Sequence, residues 1–278
     1  MSKHKIKLNS NEKDTNASIK KNNVIKTFFV NTSCALSKLL FPSGIKCLCC
    51  GRDLPSIQEI EICPKCIKNI NFIDENNSCK RCGAKLVGDG GFCLDCMDKK
   101  RIFDAARCVC SYEVEAQKLI YGLKFGGKPY FSNTMAKLMA NKYKSINWDC
   151  DIVLPVPISK KRMKTRGYNQ SLLLASVVSK EIGKPLSDEV LSKIHDTHDQ
   201  VGLGYDDRQN NLNGSIVANN KQLIKGKNVL LIDDVMTTGA TANVCAEVLF
   251  KAGAGHVFVL TFAHAMSNIR TEKNAETK

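Results

Sequence analysis

Proline and glycine are scarce, at seven and 18 of 278 residues, which excludes a linker-dominated chain and a collagen-like one. Long apolar runs are missing too. The longest near the N-terminus, 24–41, is broken by Lys26 and Lys38, and a spanning helix needs roughly 20 apolar residues. No apolar segment with a small-residue cleavage site marks a processed leader. Acidic residues number 27 against 41 basic ones, a formal charge of +14. Arginine is rare among the basic residues and asparagine is abundant, so part of the excess is a Lys/Asn bias and part sits in the first 46 residues. A basic chain favours anionic partners such as phosphates or nucleic acid. With 43% apolar and 24% charged residues, the chain can bury a core in one large domain or two smaller ones.

Cysteine, by contrast, is plentiful. Ten of the 14 fall between residues 34 and 96, and eight form pairs separated by two residues: Cys47/Cys50, Cys63/Cys66, Cys79/Cys82 and Cys93/Cys96. A two-residue gap lets both thiolates of one tight turn face the same ion, and two such knuckles complete a tetrahedral site with Zn–S of about 2.3 Å. The spacers of 12, 12 and 10 residues are long enough to bring knuckles together. Gly51 and Gly83, each following a knuckle, relieve the backbone there. Disulfides would need an oxidising compartment, and a redox pair is usually solitary, so repeated pairs favour two four-cysteine Zn²⁺ sites. Sequential pairing is the simplest and a crossed pairing stays open, as does a swap with Cys49. Cys34, Cys108, Cys110, Cys150 and Cys245 read as small buried hydrophobes.

Residues 1–23 read as a disordered tail. Apolar residues at helical spacing place a short amphipathic helix within 24–45, ended by Pro42 and Gly44. The zinc segment spans 46–99, the polar run 97–101 marks a boundary, and 266–278 is a second tail. From 103 to 265 strands alternate with helices: strands over 105–112, 152–156, 229–232 and 257–262, helices over 114–123, 130–143, 170–182 and 242–252. This alternation predicts an α/β fold, a mostly parallel sheet with flanking helices, whose ligands bind at the strands' C-terminal ends.

The most informative stretch is Val229–Thr241, Val-Leu-Leu-Ile-Asp-Asp-Val-Met-Thr-Thr-Gly-Ala-Thr. A buried strand ends at Asp233 and Asp234, and Thr237, Thr238, Gly239, Ala240 and Thr241 turn into a helix. Amides converging at a helix N-terminus make an anion cradle, and Gly239 permits close approach. Two carboxylates beside such a cradle suit a sugar diol, which donates hydrogen bonds while its 5′-phosphate sits among the amides.

Strand, Asp-Asp and Thr-Gly-x-Thr resemble the ribose-phosphate motif of type I phosphoribosyltransferases. Upstream lie Tyr121–Gly126 with Lys124, the strand ending in Pro155, Val156 and Pro157, then Arg162 and Arg166-Gly-Tyr-Asn-Gln170; downstream lie Thr197, Gln200 and Arg208. With the cysteine knuckles, the whole resembles the ComF family, a zinc ribbon joined to a phosphoribosyltransferase-like domain, over about 36–265. Lys193 and His195 stand where the family often has arginines, and Ile216 replaces a usual aromatic. The resemblance implies that Asp233 and Asp234 hold the ribose hydroxyls, 237–241 the 5′-phosphate, and Pro155–Pro157 with Lys124 and Arg162 the pyrophosphate. Arg166 and Arg208 act as catalytic counter-charges, the latter on a closing loop, and Mg²⁺ accompanies the pyrophosphate. Asn169 and Gln170 fit as hydrogen-bonding residues at a helix start. The resemblance also implies a cytoplasmic protein of DNA uptake (natural competence), with phosphoribosyl pyrophosphate, single-stranded DNA and helicase-like or other competence proteins as partners. Whether it transfers the phosphoribosyl group or only binds single strands is left open by the sequence.

Overall fold

The fold is described from a computed structural model over residues 45–86, 91–195 and 214–265. The tails, the helix expected within 24–45, and Arg208 with its loop lie outside the described residues.

Four strands form a parallel sheet: β1 (Ala105–Ser111), β2 (Ile152–Pro155), β5 (Asn228–Met236) and β6 (His256–His264), in the spatial order β1-β6-β5-β2. The two central strands are the most apolar, as a sheet covered on both faces requires. Leu230, Leu231, Ile232, Val257, Val259 and Leu260 have no exposed surface. One face is covered by α3 (Val114–Lys124), α4 (Phe131–Lys144) and α6 (Gln170–Ile182); the other by α7 (Ala240–Lys251). α6 occupies the residues expected. Asn169 caps its start by accepting from the Ser171 amide at 3.0 Å, and Gly183 ends it in the left-handed conformation.

A helix and a hairpin are among the elements that escaped the sequence reading. α5 (Lys160–Arg166) buries no residue, so it has no apolar stripe to betray it. A two-stranded antiparallel hairpin, β3 (Leu191–Lys193) with β4 (Ile216–Ala218), lies between α6 and β5. β5 also runs on through both aspartates to Met236, pairing Asp233 with Thr261 and Met236 with His264.

The cysteine-rich segment is built onto the sheet rather than beside it. β1 is an edge strand, and its open edge is closed by that segment. The Ile73 amide donates to the Val109 carbonyl at 3.0 Å, the Ser111 amide to Asn71 at 2.9 Å and the Ala106 amide to Arg81 at 2.7 Å. This satisfies groups an edge would otherwise leave open. Cys47, Cys63 and Cys66 share the core of the α3–α4–α6 face, and Cys79 and Cys82 that of the α7 face. The segment therefore straddles the edge strand. The short helices α1 (Pro64–Lys68) and α2 (Leu94–Asp98) each start at the third cysteine of a set.

Candidate phosphate site and metal centres

The eight knuckle sulfurs fall into two groups, Cys47/Cys50/Cys63/Cys66 and Cys79/Cys82/Cys93/Cys96, each with all its ligand atoms within 4.8 Å of one another. Pairing is sequential. Tetrahedral coordination with Zn–S near 2.3 Å sets sulfurs about 3.8 Å apart; Cys50 and Cys63 are separated by 3.8 Å and Cys82 and Cys93 by 3.5 Å. In both sets the amide of the third cysteine donates to the first sulfur at 3.3 Å, as a thiolate requires. The residues fit Zn²⁺. Cys49 stays outside the first set, its thiol pushed up to about 12 by burial and the neighbouring Cys47. Cys108, Cys110, Cys150 and Cys245 are fully buried.

The second assembly lies at the C-terminal end of the sheet. β5 delivers Asp233 and Asp234, and Thr237–Gly239 lead into α7. Gly239 adopts φ +75°, a conformation that disfavours a side chain, and a Cβ there would sit 3.1 Å from Arg101 Nη1. The first amides of α7 have no intrahelical acceptor, and a pocket runs along Thr237–Ala242 to Asp233 and Thr261. Asp233 Oδ1 accepts from Ser171 Oγ at 2.8 Å and from the Asp234 amide at 2.9 Å. Burial, then the neighbouring Asp234 charge, push the Asp233 carboxyl up to about 6, against the pull of Lys124 and Ser171.

Lys124, expected at the pyrophosphate, pairs instead with Asp234 at 3.0 Å; the end of α3 brings it to the carboxylates. Arg166, at the end of α5, donates to Gln170 Oε1 at 3.0 Å and lies 5.1 Å from the centre of the Phe125 ring. Burial and then Arg162 lower its pKa, and Asp234 opposes them. The Pro155-Val156-Pro157 turn is held twice: the Val156 amide donates to Ile232 at 2.9 Å, and Asn169 Nδ2 donates to the Val156 carbonyl at 3.1 Å. Gln170 Nε2 is buried and meets no acceptor among the described residues. Phosphate loop, carboxylate pair, proline turn, Lys124 and Arg166 are thus gathered at one end of the sheet.

Sequence reasoning missed three contributors: Ser171, Arg101 and Asn243. Arg101 is only 5% exposed and donates from Nη1 to the Thr238 carbonyl. Asn243, fully buried in the first turn of α7, accepts from the Ile102 amide at 3.0 Å. The one signal available was a lone amide among the apolar residues of α7.

A parallel sheet whose central strand delivers two carboxylates and a threonine–glycine loop to a helix start defines an α/β protein with a candidate anion site at the strands' C-terminal ends. Residues 129–277, more than half of the chain, match the phosphoribosyl transferase domain family, and the chain belongs to it. Residues 36–116 match the double zinc ribbon domain, a combination that bears out the ComF resemblance. Among similar proteins, Competence protein F of Haemophilus influenzae is 28% identical over 80% of this chain and 98% of its own length. Competence protein ComFC of Bacillus subtilis is 28% identical over 69% of this chain and 79% of its own. DNA utilization protein YhgH of Escherichia coli K12 is 26% identical over 65% and 81%. Among the described residues no helix is long and apolar enough to cross a membrane.

Proposed function

We propose that the chain binds 5-phosphoribosyl 1-pyrophosphate at the loop between β5 and α7 and serves DNA uptake or utilisation in the cytoplasm. The observation that carries the ligand is the juxtaposition of Asp233 and Asp234 with the Thr237–Thr241 loop. Hydroxyls 2′ and 3′ of the ribose donate to the carboxylates, and the 5′-phosphate takes the amides of the α7 start and the threonine hydroxyls. The pyrophosphate faces the Pro155–Pro157 turn, with Arg162, Arg166 and Arg208 as counter-charges and Gln170 Nε2 as a spare donor. Lys124 sits where it balances the carboxylate pair. Among the described residues only the cysteine sets gather three or more metal-ligating groups. Mg²⁺ enters with the pyrophosphate, keeping several of its waters.

Transfer, on this reading, breaks the bond from the anomeric carbon to the pyrophosphate oxygen. The electron pair leaves with pyrophosphate, and the acceptor's nucleophilic atom bonds to the carbon and gives up its proton. The protein's part is to position the ribose and stabilise the leaving charge. The DNA role is supported by the names of the relatives, and the cytoplasm by thiols that must stay reduced to hold zinc.

A second reading, non-catalytic binding of single-stranded DNA, is favoured by one observation. Tyr121 and Phe125, 65% and 64% exposed, have ring centres 5.3 Å apart, and Arg166 lies over the Phe125 ring; exposed rings beside arginine stack bases.

The test is calorimetric titration of zinc-loaded protein with phosphoribosyl pyrophosphate and Mg²⁺. Micromolar binding is expected, lost in a folded Asp234→Ala variant and weakening as pH falls through about 6, where Asp233 takes up a proton. Equal affinity in that variant overturns the ligand. Absence of binding by the folded wild type, with salt-sensitive binding of oligo-dT, selects the second reading.

A further inference from the structure

Arg101 is a buried charge at the loop between β5 and α7. It lies five residues after Cys96, in the polar run that the sequence marks as a boundary, yet it is 5% exposed. Burying a guanidinium costs several kcal/mol unless it is held by hydrogen bonds. Nη1 donates to the Thr238 carbonyl in the loop between β5 and α7, and Arg101 lies three residues beyond α2, the helix that carries Cys96 of the second four-cysteine set. The neighbouring backbone is stitched to the same loop. Asn243 Nδ2 donates to the Lys100 carbonyl at 3.4 Å, its Oδ1 accepts from the Ile102 amide at 3.0 Å, and its own amide donates to the Gly239 carbonyl at 2.9 Å. Gly239 is in turn confined by the guanidinium beneath it. The segment that leaves the second metal set is thus tied to the loop by one buried cation and by Asn243.

We infer that Arg101 is a positioning residue that fixes the Thr237–Thr241 loop on the second four-cysteine set, so that zinc at that set and phosphate at the loop reinforce each other. The second half of this inference rests on the phosphoribosyl pyrophosphate reading; the first half does not. Linkage makes the coupling reciprocal: the factor by which zinc improves ligand affinity is the factor by which ligand improves zinc affinity. Among the described residues the first set has no such tie to the loop, and the arginine that follows its first knuckle, Arg52, is exposed.

Three measurements on the full-length, zinc-loaded protein test it. Amide hydrogen exchange comes first, because it needs no ligand. In Arg101→Ala the amides that close the loop onto its neighbours, Ile102 to Asn243 Oδ1 and Asn243 to the Gly239 carbonyl, should exchange roughly tenfold faster, the Cys47–Gly51 knuckle should be unchanged, and Arg101→Lys should recover part of the protection. If Arg101→Ala does not fold, the lysine variant carries the comparison, because it keeps the charge and loses the planar fork. Loop protection equal to wild type in the folded variant overturns the inference whether or not phosphoribosyl pyrophosphate binds. Second, phosphoribosyl pyrophosphate with Mg²⁺ should bind about tenfold more weakly to Arg101→Ala. Third, in chelator competition that ligand should protect one of the two zinc ions in the wild type and neither in Arg101→Ala. A wild type that binds the ligand yet shows both zinc ions equally unprotected overturns the coupling. A wild type that binds no ligand rejects the phosphoribosyl reading and with it the coupling, leaving hydrogen exchange to decide the positioning role.

Discussion

The two four-cysteine sets have the same local chemistry and opposite surroundings. Each has a glycine after its second cysteine, at φ +73° for Gly51 and +70° for Gly83, and each starts a short helix at its third. Around the first set the knuckle faces outward: Cys50 is exposed and nothing lies within 4 Å of a Cβ at Gly51. Around the second set it faces inward: Cys79 and Cys82 are 0% and 2% exposed, and a Cβ at Gly83 would meet the Ala106 carbonyl at 2.8 Å. Spacing decides that a metal is bound; the neighbour decides what the metal holds. The first set packs into the core of the α3–α4–α6 face. The second is part of the core that carries β1, α7 and the phosphate loop.

The largest expected effect comes from removing one ligand on each side. Cys82→Ser should lose one zinc, lower the thermal midpoint by more than about 10 °C, the scale of several kcal/mol in a chain of this size, and abolish phosphoribosyl pyrophosphate binding. Cys50→Ser should also lose one zinc, with a fall of about half that size and ligand binding retained. Metal analysis, melting and calorimetry read all three. Equal losses from the two variants would mean that both sets support the sheet alike, and the contrast would fail.

A finer cut uses the glycines, because it leaves every ligand in place. Placing a side chain in the left-handed region costs about 1 kcal/mol at either knuckle. At Gly83 the clash with a backbone oxygen adds about 2 kcal/mol more, as overpacking does where the neighbour cannot turn away. Gly83→Ala should therefore melt several degrees below Gly51→Ala with both zinc ions still bound. Identical midpoints would show that the second knuckle is not seated on β1.

How much of this contrast was legible in the sequence follows from where each signal resides. The knuckles, the apolar strands and the Asp-Asp-to-threonine run are local patterns, and the structure places them together as their spacing suggests. α6 was readable to the residue because Asn169 and Gly183 mark both ends. α5 was not, since Lys160–Arg166 has no buried face and only Ser159 and Gly167 as punctuation. The continuation of β5 through Asp233 and Asp234 was hidden by its polarity; Ser171, 62 residues away, makes one of those carboxylates tolerable. Arg101 and Asn243 were invisible for the same reason in stronger form: their partners lie 137 and 141 residues away. A buried arginine in a polar run looks like any surface charge until the fold supplies its acceptors.

The smallest expected effect is the most selective. The Arg52 side chain beside the first set is the leading cause of a Cys50 thiol lowered to about 6. Arg52 is exposed, so solvent and salt replace much of what it supplies. Arg52→Ala should shift the midpoint by about 1 °C or less and leave phosphoribosyl pyrophosphate affinity and loop hydrogen exchange at wild-type values. Its one trace should be metal retention on acidification. Removing the cation favours the protonated thiol, and zinc needs the thiolate, so the first zinc should be lost at a pH a few tenths higher than in the wild type. The second zinc, held at a site Arg52 does not touch, should leave at an unchanged pH. If Arg52→Ala instead weakened ligand binding as Arg101→Ala is expected to, the effect would belong to arginines near the cysteine sets in general, and the buried bridge to Thr238 would lose its special role.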